Sequence, residues 1–251
     1  MLKLQWPLVI GTTLAFYFLI ILCLPFSSVY ASIFLFALIA FWTRLPGVGI
    51  PHPLFILYNM DMIDVFAILI SIYVGPIQGG VFAAFLGLWG RFCGVWPPEY
   101  VGVIKDSIFQ GVLCLFIPFV YQITGSLIIT TIFYTLARSA LFLITGIFFP
   151  HRPFSQQIVV EIACVISLLF FNGFYMTFLG SFAGNLLERG VEFSWPLFIF
   201  ATIVIGISYL IFFRKNEKKP GIGKIIKKVV TPKPKHISVE RQPMEQIYQT
   251  K

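Results

Sequence analysis

Charge is what this sequence has least of. Only 11% of its 251 residues are Asp, Glu, Lys or Arg, and only 10 are acidic, whereas soluble domains carry roughly 25% charged residues. With 58% hydrophobic residues, too little polar material remains to build a solvated surface, which excludes an ordinary soluble domain. Histidine and cysteine are also scarce, at 3 and 4. His52, His151 and His236 lie far apart, and Cys23, Cys93, Cys114 and Cys164 stand singly in apolar runs with no C-x-x-C pair. Metal and dithiol chemistry therefore have no local motif to start from. The sequence also lacks H-E-x-x-H, G-x-S-x-G, a P-loop and a dinucleotide fingerprint. No catalytic constellation, cofactor site or metal site is read from the chain, and it is not expected to be an enzyme.

What is there is apolar sequence in long runs. Eight segments can be marked, at about 8–24, 29–43, 62–74, 77–93, 103–121, 126–149, 157–182 and 195–213. A spanning helix needs about 20 residues, with a range of roughly 17 to 25. The second and third segments are therefore short, as half-helices, re-entrant elements or arms of a kinked span. The expected fold class is all-α: a polytopic transmembrane helix bundle of six to eight spans over residues 1–213, with eight the preferred count. The first segment has no small-residue cleavage site before the next run begins, and reads as a retained anchor.

Residues 214–251 form a basic tail that holds eleven of the 18 Lys and Arg residues, interspersed with proline and glycine. It reads as disordered or as lying on an anionic leaflet, where each basic residue contributes about 1 kcal/mol. No aromatic platform accompanies the charge, so nucleic acid is not an expected partner. The positive-inside tendency makes the tail cytoplasmic, and an even span count puts the N-terminus there as well. The three longer loops, after the second, fourth and sixth segments, then share the cytoplasmic face. Arg44, His52, Asn59, Asp61, Asp64, Arg91, Lys105, Asp106 and Arg152 belong to that face, either as interfacial anchors or as parts of a site.

Ionisable groups within apolar segments are costly, and they usually face the bundle interior or an opposite charge. Arg138 lies near the middle of segment 126–149, in YTLARSALFL. Asp64, Asp106 and Glu161 are its candidate partners, each near the start of another segment. Such an arginine either fixes helix register through a buried ion pair or contacts a ligand. Small residues make a second pattern. Gly75-Pro76 forms a turn, after which Gly79, Ala83 and Gly87 recur every fourth residue with Gly80 and Ala84 beside them. This spacing lets another backbone approach closely, and Gly180-x-x-x-Gly184 and Gly11-x-x-x-Ala15 repeat it.

The run Asp64…Gly75-Pro76-Ile77-Gln78-Gly79-Gly80…Gly87 resembles the substrate-binding S components of energy-coupling factor transporters. These are small all-helical membrane proteins that capture vitamin-like micronutrients and associate with a transmembrane coupling subunit and two ATPases. The resemblance implies a small-molecule ligand, those membrane partners, and contacts from polar residues such as Asn172 and Tyr175. It also implies six spans, with the Gly-Pro turn on the cytoplasmic side, whereas charge bias puts that turn outside. With the residues above, the candidate ligand-binding set is Asn59, Asp61, Asp64, Arg91, Asp106, Arg138, Glu161, Asn172 and Tyr175. A similar segment pattern occurs in the small membrane protein of the bacterial rod-shape machinery, a scaffold without a transported ligand. An embedded enzyme is the third alternative, and its only raw material would be His52, Asp61, Asp64, Asp106 and Glu161.

Overall fold

The structure, a computed structural model, describes residues 4–49, 60–94, 100–148 and 154–190, together with Ile199 and Ile203. The chain divides into two units, Met1–Phe198 and Ile199–Lys251. The basic tail and, apart from Ile199 and Ile203, the eighth apolar segment lie outside the described residues. Among its described residues the first unit has eight helices in succession: α1 Trp6–Cys23, α2 Ser28–Gly49, α3 Ile63–Tyr73, α4 Pro76–Phe92, α5 Tyr100–Cys114, α6 Ile117–Thr124, α7 Leu127–Phe148 and α8 Phe154–Arg189. The fold is all-α. The described residues contain no strand, and a single bridge joins Leu4 to Gly94.

Among the described residues four helices, α1, α2, α7 and α8, are long and apolar enough to cross a membrane, and α5 with α6 makes a fifth if that pair, bent by 46°, is one span. These helices fit an integral membrane protein. The eighth apolar segment lies outside the described residues and is not in this count, and among the other segments some are short or broken. At about 1.5 Å per residue, the 11 residues of α3 extend only about 16 Å, roughly half of a ~30 Å hydrocarbon core. The break in segment 103–121 falls at Leu115–Phe116, where Pro118 opens α6 without a backbone N–H to continue the ladder of α5.

Two helices run further than hydropathy suggests. α2 continues through Thr43, Arg44 and Pro46 to Gly49, because Arg44 is buried and paired rather than solvated. α8 continues past Phe182 to Arg189, since Ala183, Gly184 and Leu187 remain buried. It stops at Gly190, whose φ of 75° suits glycine.

Contacts between helix ends give the course of the chain. The start of α1 meets the end of α4 (Gln5 N–H to Cys93 carbonyl, 2.8 Å), and Arg44, near the end of α2, pairs with Asp61 just before α3. The end of α7 packs on the start of α8 through Gly146 and Gln157. At the opposite end, Ser32 of α2 donates to the Leu186 carbonyl of α8 (3.1 Å). Tyr73 and Leu127 there line Gly184 and Gly180 of α8. Aliphatic and aromatic side chains such as Leu14, Phe18, Val81, Phe119, Ile147 and Phe178 point outward, more than 60% exposed. Asp64, Gln110, Thr135, Arg138 and Asn172 are turned inward and buried. An apolar shell around a polar centre suits lipid as solvent.

Candidate polar site in the helix bundle

Because α3 is a half-length helix, its first turn starts inside the bundle rather than at its edge. Asp64, the second residue of α3, meets Arg138, the twelfth of 22 residues in α7. The Arg138 guanidinium holds two carboxylates from two other helices. Nε and Nη2 donate to Asp106 Oδ1 and Oδ2 of α5 at 2.9 and 2.8 Å, and Nη1 donates to Asp64 Oδ2 at 2.6 Å. Amides complete the carboxylate shell: Gln110 Nε2 of α5 donates to Asp64 Oδ1 at 3.1 Å, and Asn172 Nδ2 of α8 donates to Asp64 Oδ2 at 3.3 Å. Tyr134, fully buried on α7, donates to the Gln110 carbonyl at 3.4 Å. Four helices thus meet at one polar centre.

The flanking groups extend this centre. Glu161 of α8 hydrogen-bonds Ser139 and feels the charges of Arg138, Asp106 and Lys105. Lys105 Nζ lies 4.4 Å from the centre of the Phe142 ring. Arg91 and Arg44 act on Asp106 together with Arg138. Asp61 pairs with Arg44 and accepts from the Ile63 N–H. Tyr175 donates to the Met60 carbonyl at 3.0 Å, which ties α8 to the segment that leads into α3. Of the sequence candidates, the structure therefore brings Asp64, Asp106, Arg138 and Asn172 into direct contact, with Glu161 and Arg91 beside them. Asp61 and Tyr175 lie at the approach to α3, and Asn59 lies outside the described residues.

Placement corrects one expectation. Asp64 and Asp106 are not loop groups at the membrane surface: they sit on helices at the depth of the middle of α7. Sequence reading also missed Gln110, although it lies four residues after Asp106 and thus on the same helix face.

The small residues lie between helices. Gly75, with φ 157°, makes the turn into Pro76. An added Cβ on Gly79 would collide with Ser71 and the Ala67 carbonyl of α3, and one on Gly80 would lie 2.7 Å from the Gly111 carbonyl of α5. Ala83 is fully buried, and the Cβ position of Gly87 lies 2.5 Å from Gln110 Oε1. Gly11 and Ala15 differ, since both face outward and nothing lies within 4 Å of the Cβ position of Gly11.

The chemistry of the centre follows from which atoms are already engaged. Three Arg138 nitrogens donate to carboxylates, so the guanidinium is occupied rather than presented to an incoming anion. The buried atoms of this region without a hydrogen-bond partner among the described residues include Gln110 Oε1, Asn172 Oδ1, Thr135 Oγ1 and Lys105 Nζ. The centre therefore offers two amide oxygens as acceptors, a hydroxyl that can donate or accept, and one ammonium donor at its flank. Comparison with known proteins gives no match to this chain among family models, curated proteins or solved structures.

Proposed function

We propose that the chain is a membrane component that binds a small polar solute inside its helix bundle, in the manner of the S components its sequence resembles. One observation carries the reading: an arginine halfway along α7 is neutralised by carboxylates from two other helices, while adjoining buried amide oxygens have no partner among the described residues. Ionisable groups at membrane depth are expensive and typically mark a substrate or ion path. Free amide oxygens beside a hydroxyl and an ammonium suit a polar solute that brings both hydrogen-bond donors and acceptors. A coupling subunit and ATPases are the partners this reading implies.

Native mass spectrometry of the detergent-purified protein tests it. The expected result is a bound small molecule that is lost in Asp106→Asn, with the variant still folded. A parent protein free of any organic solute after mild purification from cells overturns the proposal. A second reading, a scaffold without a ligand, is favoured by the exposed ridge of Phe170, Phe174, Phe178 and Phe182 on α8. Its signature is the opposite one: a stable membrane complex with no solute, weakened by replacing those phenylalanines with leucine.

A further inference from the structure

From the Arg138 centre, the two directions along the bundle are unlike. Toward the end that holds Gly94 and the start of α8, the next groups are charged: Lys105 on α5 and Glu161 on α8, both partly exposed. Each touches α7 on that side of Arg138, Glu161 through a hydrogen bond with Ser139 and Lys105 through its Nζ, 4.4 Å from the centre of the Phe142 ring. Side-chain exposure rises across the ion-paired cluster, from 2% at Asp64 through 11% at Arg138 to 16% at Asp106, the residue next to Lys105.

Toward the opposite end, where Gly75 and the start of α7 lie, the centre is closed. Ile68, Leu69 and Ile70 of α3 and Ile117 of α6 are 0% exposed. Buried hydroxyls on that side bond within their own helices: Ser71 donates to the Ala67 carbonyl at 2.7 Å, and Thr131 donates to the Leu127 carbonyl at 2.8 Å. A hydroxyl that gives its proton to the preceding turn has no need of water as an acceptor.

Lys105 shows what the open side contains. An ammonium carries three donors, and Lys105 Nζ is buried with no hydrogen-bond partner among the described residues. The Phe142 ring offsets part of the charge but brings no oxygen or nitrogen acceptor. A buried charge without acceptors is costly, and with the opposite end closed by hydrocarbon, water from the Gly94 end can supply them. We propose that the centre opens to that end alone, through a hydrated passage along α7 past Lys105 and Glu161, and that the isoleucines and leucine of α3 and α6 seal it from the other end. The inference rests on the reading of the centre as a binding site and gives the route by which a solute reaches it.

The test is the reaction of single cysteines with a membrane-impermeant cationic methanethiosulfonate, in the full-length protein with its four native cysteines replaced. Right-side-out and inside-out membrane vesicles are compared. Ser139→Cys and Lys105→Cys sample the passage, and Thr131→Cys and Ser71→Cys sample the seal. Ser155→Cys, exposed at the start of α8, marks one end of the bundle, and Ser126→Cys marks the other. Ser139 and Thr131 share a face of α7 and are 5% and 1% exposed, so burial alone predicts the same reactivity for both. The expected result is that Ser139→Cys and Lys105→Cys react in the vesicles in which Ser155→Cys reacts. They should react at least about tenfold faster than Thr131→Cys and Ser71→Cys, because the reactive thiolate is favoured in water and not in apolar surroundings. Seal cysteines that react as fast as the passage cysteines overturn the proposal. So does reaction of the passage cysteines in the vesicles in which Ser126→Cys reacts, or no reaction of either passage cysteine in either kind of vesicle. The solute reading is judged apart, by mass spectrometry: one-sided labelling in a protein without an organic solute supports the passage alone, and a bound solute with unreactive passage cysteines overturns the passage alone.

Discussion

Arg138 is the residue on which the interior depends, because removing it would leave two buried carboxylates facing each other. Breaking a buried pair by deleting one partner costs roughly 3–5 kcal/mol, and Arg138→Gln is expected to lose stability in that range in equilibrium unfolding. Adding Asp106→Asn removes one of the stranded charges. The double variant should therefore lose less than the sum of the single variants, by about 0.5–3 kcal/mol. Strict additivity would mean that Arg138 does not act on Asp106, against their two hydrogen bonds of 2.8 and 2.9 Å. The arginine was legible in the sequence because a lone cation within an apolar run stands out, and Asp64 and Asp106 could be named because acids are few. Gln110 was not, because an uncharged amide carries no formal charge that would single it out as a partner for an arginine. Its role appears only when α3 and α5 are seen to place Asp64 within 3.1 Å of its nitrogen.

Elements were legible where length and apolarity agree, and less so where burial changes what a charge means. The apolar run of α2 seemed to end at Thr43 because Arg44 follows, yet Arg44 is 3% exposed and bonded to Asp61. The break between α5 and α6 was hidden by the apolar neighbours of Pro118. Glycine spacing gave the contact face of α4 correctly but could not name what it touches. The Gly80 backbone packs on Gly111 of α5, a close approach that needs glycine on both sides. Gly80→Ala is therefore expected to destabilise by about 1–3 kcal/mol through overpacking, although alanine alone favours a helix by up to about 1 kcal/mol. Gly11→Ala is the matched comparison: with nothing within 4 Å of its Cβ position, it should leave stability unchanged or raise it slightly. Equal effects at the two glycines, in thermal unfolding of the purified protein, would show that α4 and α5 do not approach as closely as described.

At the scale of the whole molecule, the class of the protein was plain from composition, while its orientation rests on charge. The two ends of the bundle differ. One carries the α1–α2 turn, Gly75, Gly125 and Gly190; the other carries Leu4, Arg44, Asp61, Arg91 and Gly94. The cations Arg44 and Arg91 lie toward the second end, and the sequence beyond residue 213 carries eleven further Lys and Arg residues. By the positive-inside tendency the second end is expected to face the cytoplasm, whereas the S-component resemblance would put the Gly-Pro turn of the first end there. Single cysteines separate these outcomes in intact cells, in a background with Cys23, Cys93, Cys114 and Cys164 replaced. Ser126→Cys, in the turn before α7, should react with a membrane-impermeant maleimide, and Lys235→Cys in the tail should react only after the cells are opened. The reverse pattern would invert the bundle and put the Gly75 turn inside. In that orientation the tail would lie outside against the charge bias, and Asp106 would face the exterior, from which S components take their substrate.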